Sequence, residues 1–288
     1  MTPLFASPQH VRAFAAALRT RALGKQIQYL EQTGSTNDGA LHAAAAGAPH
    51  GAVFITEAQS AGRGRRGRSW ESPPGLSLLF SVLLRPERVV PADLGWIPLA
   101  AGLACVESVN AACGVAAALK WPNDIVAPCS AAPGWRKLGG VLCESLLSGT
   151  PDGAGSFVVA GIGLNVNQLK GGLPRVAKAP PSSLRLEAGK IFDRQRVLCQ
   201  LLENLERRFE ALSAPQYRAA LKRDVHSRLA RWWTPRRTLV VQNLAADAQG
   251  APLEGSFAEL DDFGRLKLKF TGGAECILAD AEVLKVRG

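Results

Sequence analysis

The sequence predicts an α+β protein. A central mixed or antiparallel sheet carries helices, and a small β-barrel follows at the C-terminus. Three observations lead there. Strand and helix patterns follow one another without regular βαβ alternation, and several strand pairs are joined by short turns. One long amphipathic stripe (Val197, Leu198, Leu201, Leu202, Leu205, Phe209, Leu212) marks a packed helix late in the first part. After Pro235 the character changes to five short strands separated by glycine-containing turns. The domain boundary is placed near Thr234, giving residues 1–233 and 234–288.

Taken in order, Ser7 and Pro8 read as a cap and first helical residue, with Val11, Phe14, Ala15 and Leu18 at helical spacing to about Leu23. Ile27 to Glu31 reads as a strand, and an alanine-rich helix from about Asp38 to Ala46 ends at Gly47 and Pro49. Ala52 to Thr56 is a short apolar strand. Leu76, Leu78, Phe80, Val82 and Leu84 alternate along a longer one. A helix from about Pro98 to Ala112 stops at Gly114, and Ala116 to Lys120 is a strand entering Trp121-Pro122-Asn123-Asp124. Ala127 to Trp135 reads as a loop. Leu138 to Leu147 and Phe157 to Asn165 form a strand pair turning at Gly149 to Gly155. Asp193 caps the amphipathic helix, with more helix to about Trp232. The terminal strands are Thr238 to Gln242, Ala251 to Glu259, Arg265 to Phe270, Cys276 to Leu278 and Val283 to Val286.

Composition narrows the class. With 47% hydrophobic residues and mean hydropathy near zero, the chain can bury a large core. No apolar run is read as reaching the ~18 residues of a membrane span, and the N-terminus lacks a secretory apolar core. A soluble, cytoplasmic protein without membrane association is expected. The six cysteines (Cys105, Cys113, Cys129, Cys143, Cys199, Cys276) form no CxxC and accompany no histidine cluster, so they are expected to be reduced and structural. A net charge of +10 suits nucleic acid, an acidic partner or phosphate-bearing substrates. One basic cluster, Arg218 to Arg237, reads as a solvated helix face.

The other basic cluster is the stretch Gly62 to Trp70, GRGRRGRSW, with three glycines and four arginines in nine residues. It matches GxGxxG literally, but Ser69-Trp70-Glu71-Ser72-Pro73-Pro74-Gly75 cannot open the helix a dinucleotide turn requires. No GK[ST] follows, so it is not a phosphate loop of the Walker type. A nucleic-acid arm would sit on a tail rather than between two strands. Two readings remain: a flexible basic loop, or a loop whose arginines and backbone N–H groups close over an anionic ligand.

Five motifs together resemble the biotin protein ligases. They are Gly34-Ser35-Thr36-Asn37; Thr56-Glu57-Ala58-Gln59-Ser60-Ala61 running into GRGRRGRSW; Lys120-Trp121-Pro122-Asn123-Asp124; Arg136-Lys137-Leu138-Gly139-Gly140-Val141-Leu142; and Ala160-Gly161-Ile162-Gly163-Leu164-Asn165-Val166-Asn167. The resemblance implies a class II synthetase-like catalytic sheet of the biotin/lipoate ligase type in residues 1–233 and an SH3-like barrel in 234–288. It implies that biotin and MgATP give biotinyl-5′-adenylate, and that a lysine of the biotin carboxyl carrier protein of acetyl-CoA carboxylase then displaces AMP. Such chemistry needs a cationic pocket, because two anions must be brought together, and no protein nucleophile.

On the same basis Ser35, Thr36, Asn37 and Gln59 match biotin-binding positions, joined by Gly62, Arg63, Gly64, Arg65, Lys137, Gly161 and Gly163. The bland alternatives are a helix cap for Ser35 or Thr36 and an exposed loop glutamine for Gln59. Arg63 and Arg65 are implied in adenylate formation, Arg63 near the carboxylate and phosphates, Arg65 in retaining the reactive adenylate. Lys137 is the main catalytic candidate. A lone lysine entering the apolar run Leu138 to Leu142 is unusual, and its ammonium can bridge the biotin carboxylate and α-phosphate. ATP and adenylate contacts are expected from Arg65, Arg68, Trp70, Lys120, Asn123, Asp124 and Asn165, with Mg²⁺ near Asp124. Trp70 stacks on adenine or is a core aromatic, and Asn123 and Asp124 equally suit an Asx-type turn.

Some biotin ligases carry an N-terminal winged helix that represses biotin genes, a module of about sixty residues. Only 34 residues precede Ser35, so no repressor function and no DNA binding are expected. A lipoate or octanoyl ligase of the same fold, and a basic DNA-binding regulator, are the competing readings.

Overall fold

The computed structural model describes residues 3–85, 91–130, 134–146, 155–174, 180–229, 238–243, 251–279 and 281–287. Helix α1 (Pro8–Ala17) begins as its sequence requires. Ser7 Oγ accepts the His10 N–H at 3.2 Å and proline fills the first turn. It ends six residues before the predicted Leu23. The cause is distant in sequence: the Glu206 carboxylate accepts the N–H groups of Arg21, Ala22 and Leu23 at 2.7, 2.8 and 3.0 Å. Those donors are satisfied without a helix, and Leu18 and Leu23 turn into the core.

Strands β1 (Ile27–Thr33) and β2 (Val53–Gln59) run parallel, with helix α2 (Thr36–Ala45) crossing between them. The remaining pairs of the large sheet are antiparallel. Its strands β3 (Ser77–Leu84), β4 (Ala118–Lys120), β5 (Asp124–Pro128), β6 (Trp135–Leu146) and β7 (Phe157–Asn165) complete the order β1-β2-β3-β7-β6-β5-β4. The sheet is therefore mixed, with one parallel pair. Strand β5 replaces part of the loop predicted over 127–135. Its three apolar residues Ile125, Val126 and Ala127 are buried; Ile125 and Val126 pair with both β4 and β6 and Ala127 with β6, so pairing across the sheet overrides the prolines at either end.

Helix α3 (Ile97–Cys113) ends on Gly114 at φ +66°. It fills the space between the sheet and helix α5 (Arg194–Ser213), whose N-terminus is capped by Asp193. By length and composition Leu94–Cys113 passes as a membrane span, in contrast to the sequence-based expectation, but 72% of its most apolar 18-residue window is buried inside the fold. Helix α4 (Leu184–Ala188) follows Ser183, and α6 (Pro215–Leu229) follows α5. The described part of the second basic cluster lies on α6, where Lys222 pairs with Asp262 at 2.7 Å; residues 230–237 lie outside the described residues.

The C-terminal strands β8 (Thr238–Asn243), β9 (Leu253–Leu260), β10 (Leu266–Lys269), β11 (Glu275–Leu278) and β12 (Ala281–Arg287) form an antiparallel sheet in the order β11-β10-β9-β8-β12. Among the described residues no β11–β12 pairing closes it into a barrel. It shares one hydrophobic core with the large sheet, in which Leu239, Val241, Leu266 and Leu268 join Leu103 and Leu201. Two indoles stitch the β9–β10 turn to the first part: Trp96 Nε1 donates to Asp262 O at 2.8 Å and Trp121 Nε1 to Gly264 O at 3.0 Å. The predicted boundary at Thr234 falls outside the described residues. The six cysteines form no disulfide among the described residues.

Candidate active site

One face of the large sheet, the N-terminus of α2 and the loop 62–70 enclose a cavity of about 520 Å³. The loop is a small hairpin. Trp70 N–H donates to Gly62 O at 2.8 Å, Gly64 N–H to Arg68 O at 2.7 Å, and Arg63 bridges Ser69. Arg66 and Gly67 turn its tip at φ +58° and +69°.

At one end of the cavity the polar groups belong to a single network. Ser35 occupies the cap position of α2 but its side chain makes no cap hydrogen bond. Gln59 Oε1 accepts from Thr36 N at 2.9 Å and Thr36 Oγ1 at 3.2 Å. Ser81 Oγ, on β3, lies 2.7 Å from Thr36 Oγ1 and donates to Asn37 Oδ1 at 2.6 Å. Asn37 Nδ2 in turn donates to Glu144 Oε2 at 2.6 Å and Leu142 O at 3.3 Å. Gly161 makes this possible, because a Cβ there would lie 2.1 Å from Asn37 Oδ1.

Arg63 is tied into the same network. Its guanidinium holds Asp38 bidentately at 2.7 and 2.6 Å and reaches Glu144 at 3.3 Å. The Asp38 contact, with Glu144 adding to it, pushes the Arg63 pKa up, and Arg63 in turn holds Asp38 below the usual carboxylate range. Arg63 therefore anchors the first limb of the loop to α2 and β6.

At the other end charge is concentrated. Asp124 opens β5, and Lys137 stands on β6, whose backbone is held there by Lys137 N–H to Pro180 O and Ser182 N–H to Lys137 O, both 2.8 Å. Lys137 Nζ meets Asp124 Oδ1 at 2.6 Å and Lys120 Nζ meets Oδ2 at 3.5 Å. Burial pushes the Asp124 carboxyl up, yet the two ammonium groups outweigh it and hold the group below its ordinary range. Lys137 Nζ also lies 5.6 Å from the Trp70 ring centre. The indole rests on Gly163, where a Cβ would come within 2.6 Å of it, and its Nε1 is buried with no acceptor among the described residues. Arg65 reaches Asn123 Oδ1 at 3.4 Å, and Asn123 Nδ2 donates to Val141 O at 2.7 Å. Asn165 is buried, donating to Ser182 O and accepting from Gln168, each at 3.0 Å.

Every predicted site residue except Gly62 lines this cavity: Ser35, Thr36, Asn37, Gln59, Arg63, Gly64, Arg65, Arg68, Trp70, Lys120, Asn123, Asp124, Lys137, Gly161, Gly163 and Asn165. Gly161 and Gly163 also make room for Asn37 and Trp70, whose side chains lie against them. The sequence reading missed Asp38, Ser81 and Glu144. Glu144 had a signal: Gly140 and Leu142 line the cavity, and Glu144 follows at the same alternation on β6. Among the described residues no group of three or more His, Cys, Asp or Glu could hold a metal ion. Asp124, engaged by two ammonium groups, does not fit the expected Mg²⁺ ligand.

Residues 29–176 match the Biotin/lipoate A/B protein ligase family. A Mycobacterium tuberculosis protein named biotin–[acetyl-CoA-carboxylase] ligase is 34% identical over 282 residues, covering 94% of this chain and 95% of its own length. A Paracoccus denitrificans protein of the same name is 32% identical, covering 88% and 98%. The fold resembles a solved Aquifex aeolicus biotin protein ligase in complex with biotin and ATP, at a TM-score of 0.70 and 24% identity over 91% of this chain and 99% of that one.

Proposed function

Because this chain belongs to the Biotin/lipoate A/B protein ligase family, we propose that it is an ATP-dependent biotin–protein ligase. It condenses biotin with ATP to biotinyl-5′-adenylate and transfers the biotinyl group to a lysine of the biotin carboxyl carrier protein of acetyl-CoA carboxylase. One observation carries the reading: a single cavity has at one end a hydrogen-bonded polar network, with Arg63, Asp38 and Glu144 tied into it, and at the other the Lys137–Asp124–Lys120 cluster. The polar end, Ser35, Thr36, Asn37 and Gln59, suits a ureido head that both donates and accepts hydrogen bonds. A lipoate or octanoyl chain has no such head, so the polar network favours biotin over the lipoyl alternative.

The cationic end serves the first step. Biotin's carboxylate attacks the α-phosphate, and pyrophosphate leaves with the electron pair of the broken P–O bond. Negative charge accumulates while two anions approach, and preorganised cations stabilise it without reorganising. Lys137 stands nearest this task. Asp124 positions its ammonium, and the Lys137 charge, with Lys120 adding to it, keeps Asp124 ionised. Arg65 and Arg68 cover the adenylate from the loop. Trp70 supplies an aromatic face, and Asn123 holds Arg65 in place. Asn165 shapes the adenine end, its amide being engaged within the protein. Mg²⁺ enters as MgATP, the nucleotide's own phosphates carrying the ion. Catalysis resides in residues 1–233, the C-terminal sheet in 234–288 closes one side of the site, and the reaction takes place in the cytoplasm.

The test is transfer. Purified protein is incubated with biotin, MgATP and a carrier domain, and the carrier is analysed by mass spectrometry. One biotinyl group on a single lysine is expected; an unmodified carrier beside a working reference ligase refutes the proposal.

A further inference from the structure

Lys137 stands where β6 loses its regular neighbours. The pairing with β5 passes from Ile125–Gly139 to Val126–Lys137, which leaves Leu138 as an extra residue on β6. Such a bulge changes the face that the preceding side chains meet. Counting back in twos from Leu142 and Gly140, which line the cavity, would put Leu138 on that face and Lys137 on the other. The bulge reverses this: Lys137 lines the cavity and Leu138 is buried in the hydrophobic core. On the other edge of β6, the ladder with β7 begins only at Gly139. Lys137 is held on that side by a strap, residues 180–182, through Lys137 N–H to Pro180 O and Ser182 N–H to Lys137 O, both 2.8 Å.

The strap is fixed in turn by one carboxylate. Glu187, on α4, accepts from Arg136 Nε and Nη2, each at 2.7 Å, and from Ser182 Oγ. Burial pushes the Glu187 carboxyl up, but Arg136 and Ser182 more than offset it and hold it below the ordinary range. With side chains 40% and 11% exposed, the Arg136–Glu187 pair contributes little to the stability of the whole fold. Its place matters more than its strength. Arg136 is the residue before Lys137, and Ser182 bonds the Lys137 backbone. Ser182 O also accepts Nδ2 of the cavity-lining Asn165 at 3.0 Å. One side chain thus ties together the strand end, the strap and a second wall of the cavity.

We propose that Glu187 is a positioning residue for adenylate formation: through Arg136 and Ser182 it holds the strap against the bulged end of β6 and so aims the Lys137 ammonium. The proposal rests on the biotin-ligase reading and on the part given there to Lys137. A bulged residue released from its strap lets the ammonium drift from the line of reaction, and a misplacement of about 1 Å is enough to cost about 10²-fold in rate. The polar end of the cavity takes no part in this clamp, so biotin affinity is spared.

Glu187→Ala, and the milder Glu187→Gln that keeps one acceptor, are each made in the wild type and in Lys137→Ala. Biotin-dependent exchange of labelled pyrophosphate into ATP is measured at saturating substrates, and biotin affinity by calorimetry. In the wild-type background Glu187→Ala is expected to lower the exchange rate about 10- to 10²-fold with biotin affinity within about twofold, and Glu187→Gln to lose less. In Lys137→Ala no ammonium is left to aim, and Glu187→Ala is expected to cost less than about twofold more. An unaltered exchange rate in Glu187→Ala overturns the proposal. So does an equal fold loss in both backgrounds, or a matching loss of biotin affinity, since either marks a general disturbance of the fold. If Glu187→Ala does not fold, Glu187→Gln carries the same comparison between backgrounds. A wild type that exchanges no pyrophosphate with biotin would instead refute the ligase reading itself.

Discussion

Replacing Gly161 with alanine tests how the polar end of the cavity is built. The new Cβ would fall 2.1 Å from Asn37 Oδ1, 2.9 Å from its Cγ and 3.1 Å from its Nδ2. Asn37 is 3% exposed, and moving away from the new Cβ would push its amide into the cavity. It must give up its bonds from Ser81 Oγ and to Glu144, both 2.6 Å, and the longer one to Leu142 O at 3.3 Å. A neutral hydrogen bond contributes about 1 kcal/mol net and one to a charged group about 1.5–3, so displacement costs about 3 kcal/mol. If biotin needs Asn37 in place, affinity measured by titration calorimetry falls up to about 100-fold. Asn37→Ala should weaken binding strongly in the wild type but add little in the Gly161→Ala background, since the two changes share one mechanism. Wild-type affinity in Gly161→Ala, or full additivity of the pair, would refute the reasoning.

Lys137→Ala removes the ammonium proposed to meet the reacting anions and should slow adenylate formation about 10²–10³-fold, with biotin affinity reduced far less; equal small losses in rapid-quench kinetics and calorimetry would contradict its role. Arg65→Gly removes the loop contact to Asn123 and should release biotinyl-adenylate, seen as biotin on bystander lysines; labelling confined to the carrier domain would count against it. Glu57 and Arg194 form an ion pair at 2.6 Å with side chains 10% and 6% exposed, so Glu57→Gln should destabilise the protein by about 3–5 kcal/mol in urea melts. Burial pushes Glu57 up, but Arg194, the Leu4 N–H and Tyr29 more than offset it and hold the folded pKa below its ordinary value. Its contribution is therefore complete above about pH 4.3 and lost as pH falls through the folded value. Wild-type stability should decline more steeply than Glu57→Gln between pH 5 and 3, and parallel declines would exclude this pair as the cause.

Strand β7 was legible to the residue because its apolar run is bounded by a turn on one side and Asn165 on the other. Strand β5 was not, because two prolines frame only three apolar residues and their pairing partners come from β4 and β6. The early end of α1 depends on Glu206, far along the chain, and no local pattern carries that. The site divides the same way. Its polar and basic residues sit in short motifs rich in glycine, where side-chain type alone signals chemistry. Asp38, Ser81 and Glu144 act through contacts that exist only once α2, β3 and β6 meet. Arg63 shows the limit most plainly. Its charge is expected to face carboxylate and phosphates, and folding adds partners the local pattern does not show, Asp38 and Glu144.

The central claim is that one cavity joins biotin's carboxylate to an ATP α-phosphate. Biotin-dependent exchange of labelled pyrophosphate into ATP measures that step without any carrier. The account predicts exchange with biotin, none with lipoate or octanoate, and a loss of at least about 10²-fold in Lys137→Ala. Exchange driven by lipoate or octanoate, or no exchange with biotin, would contradict it.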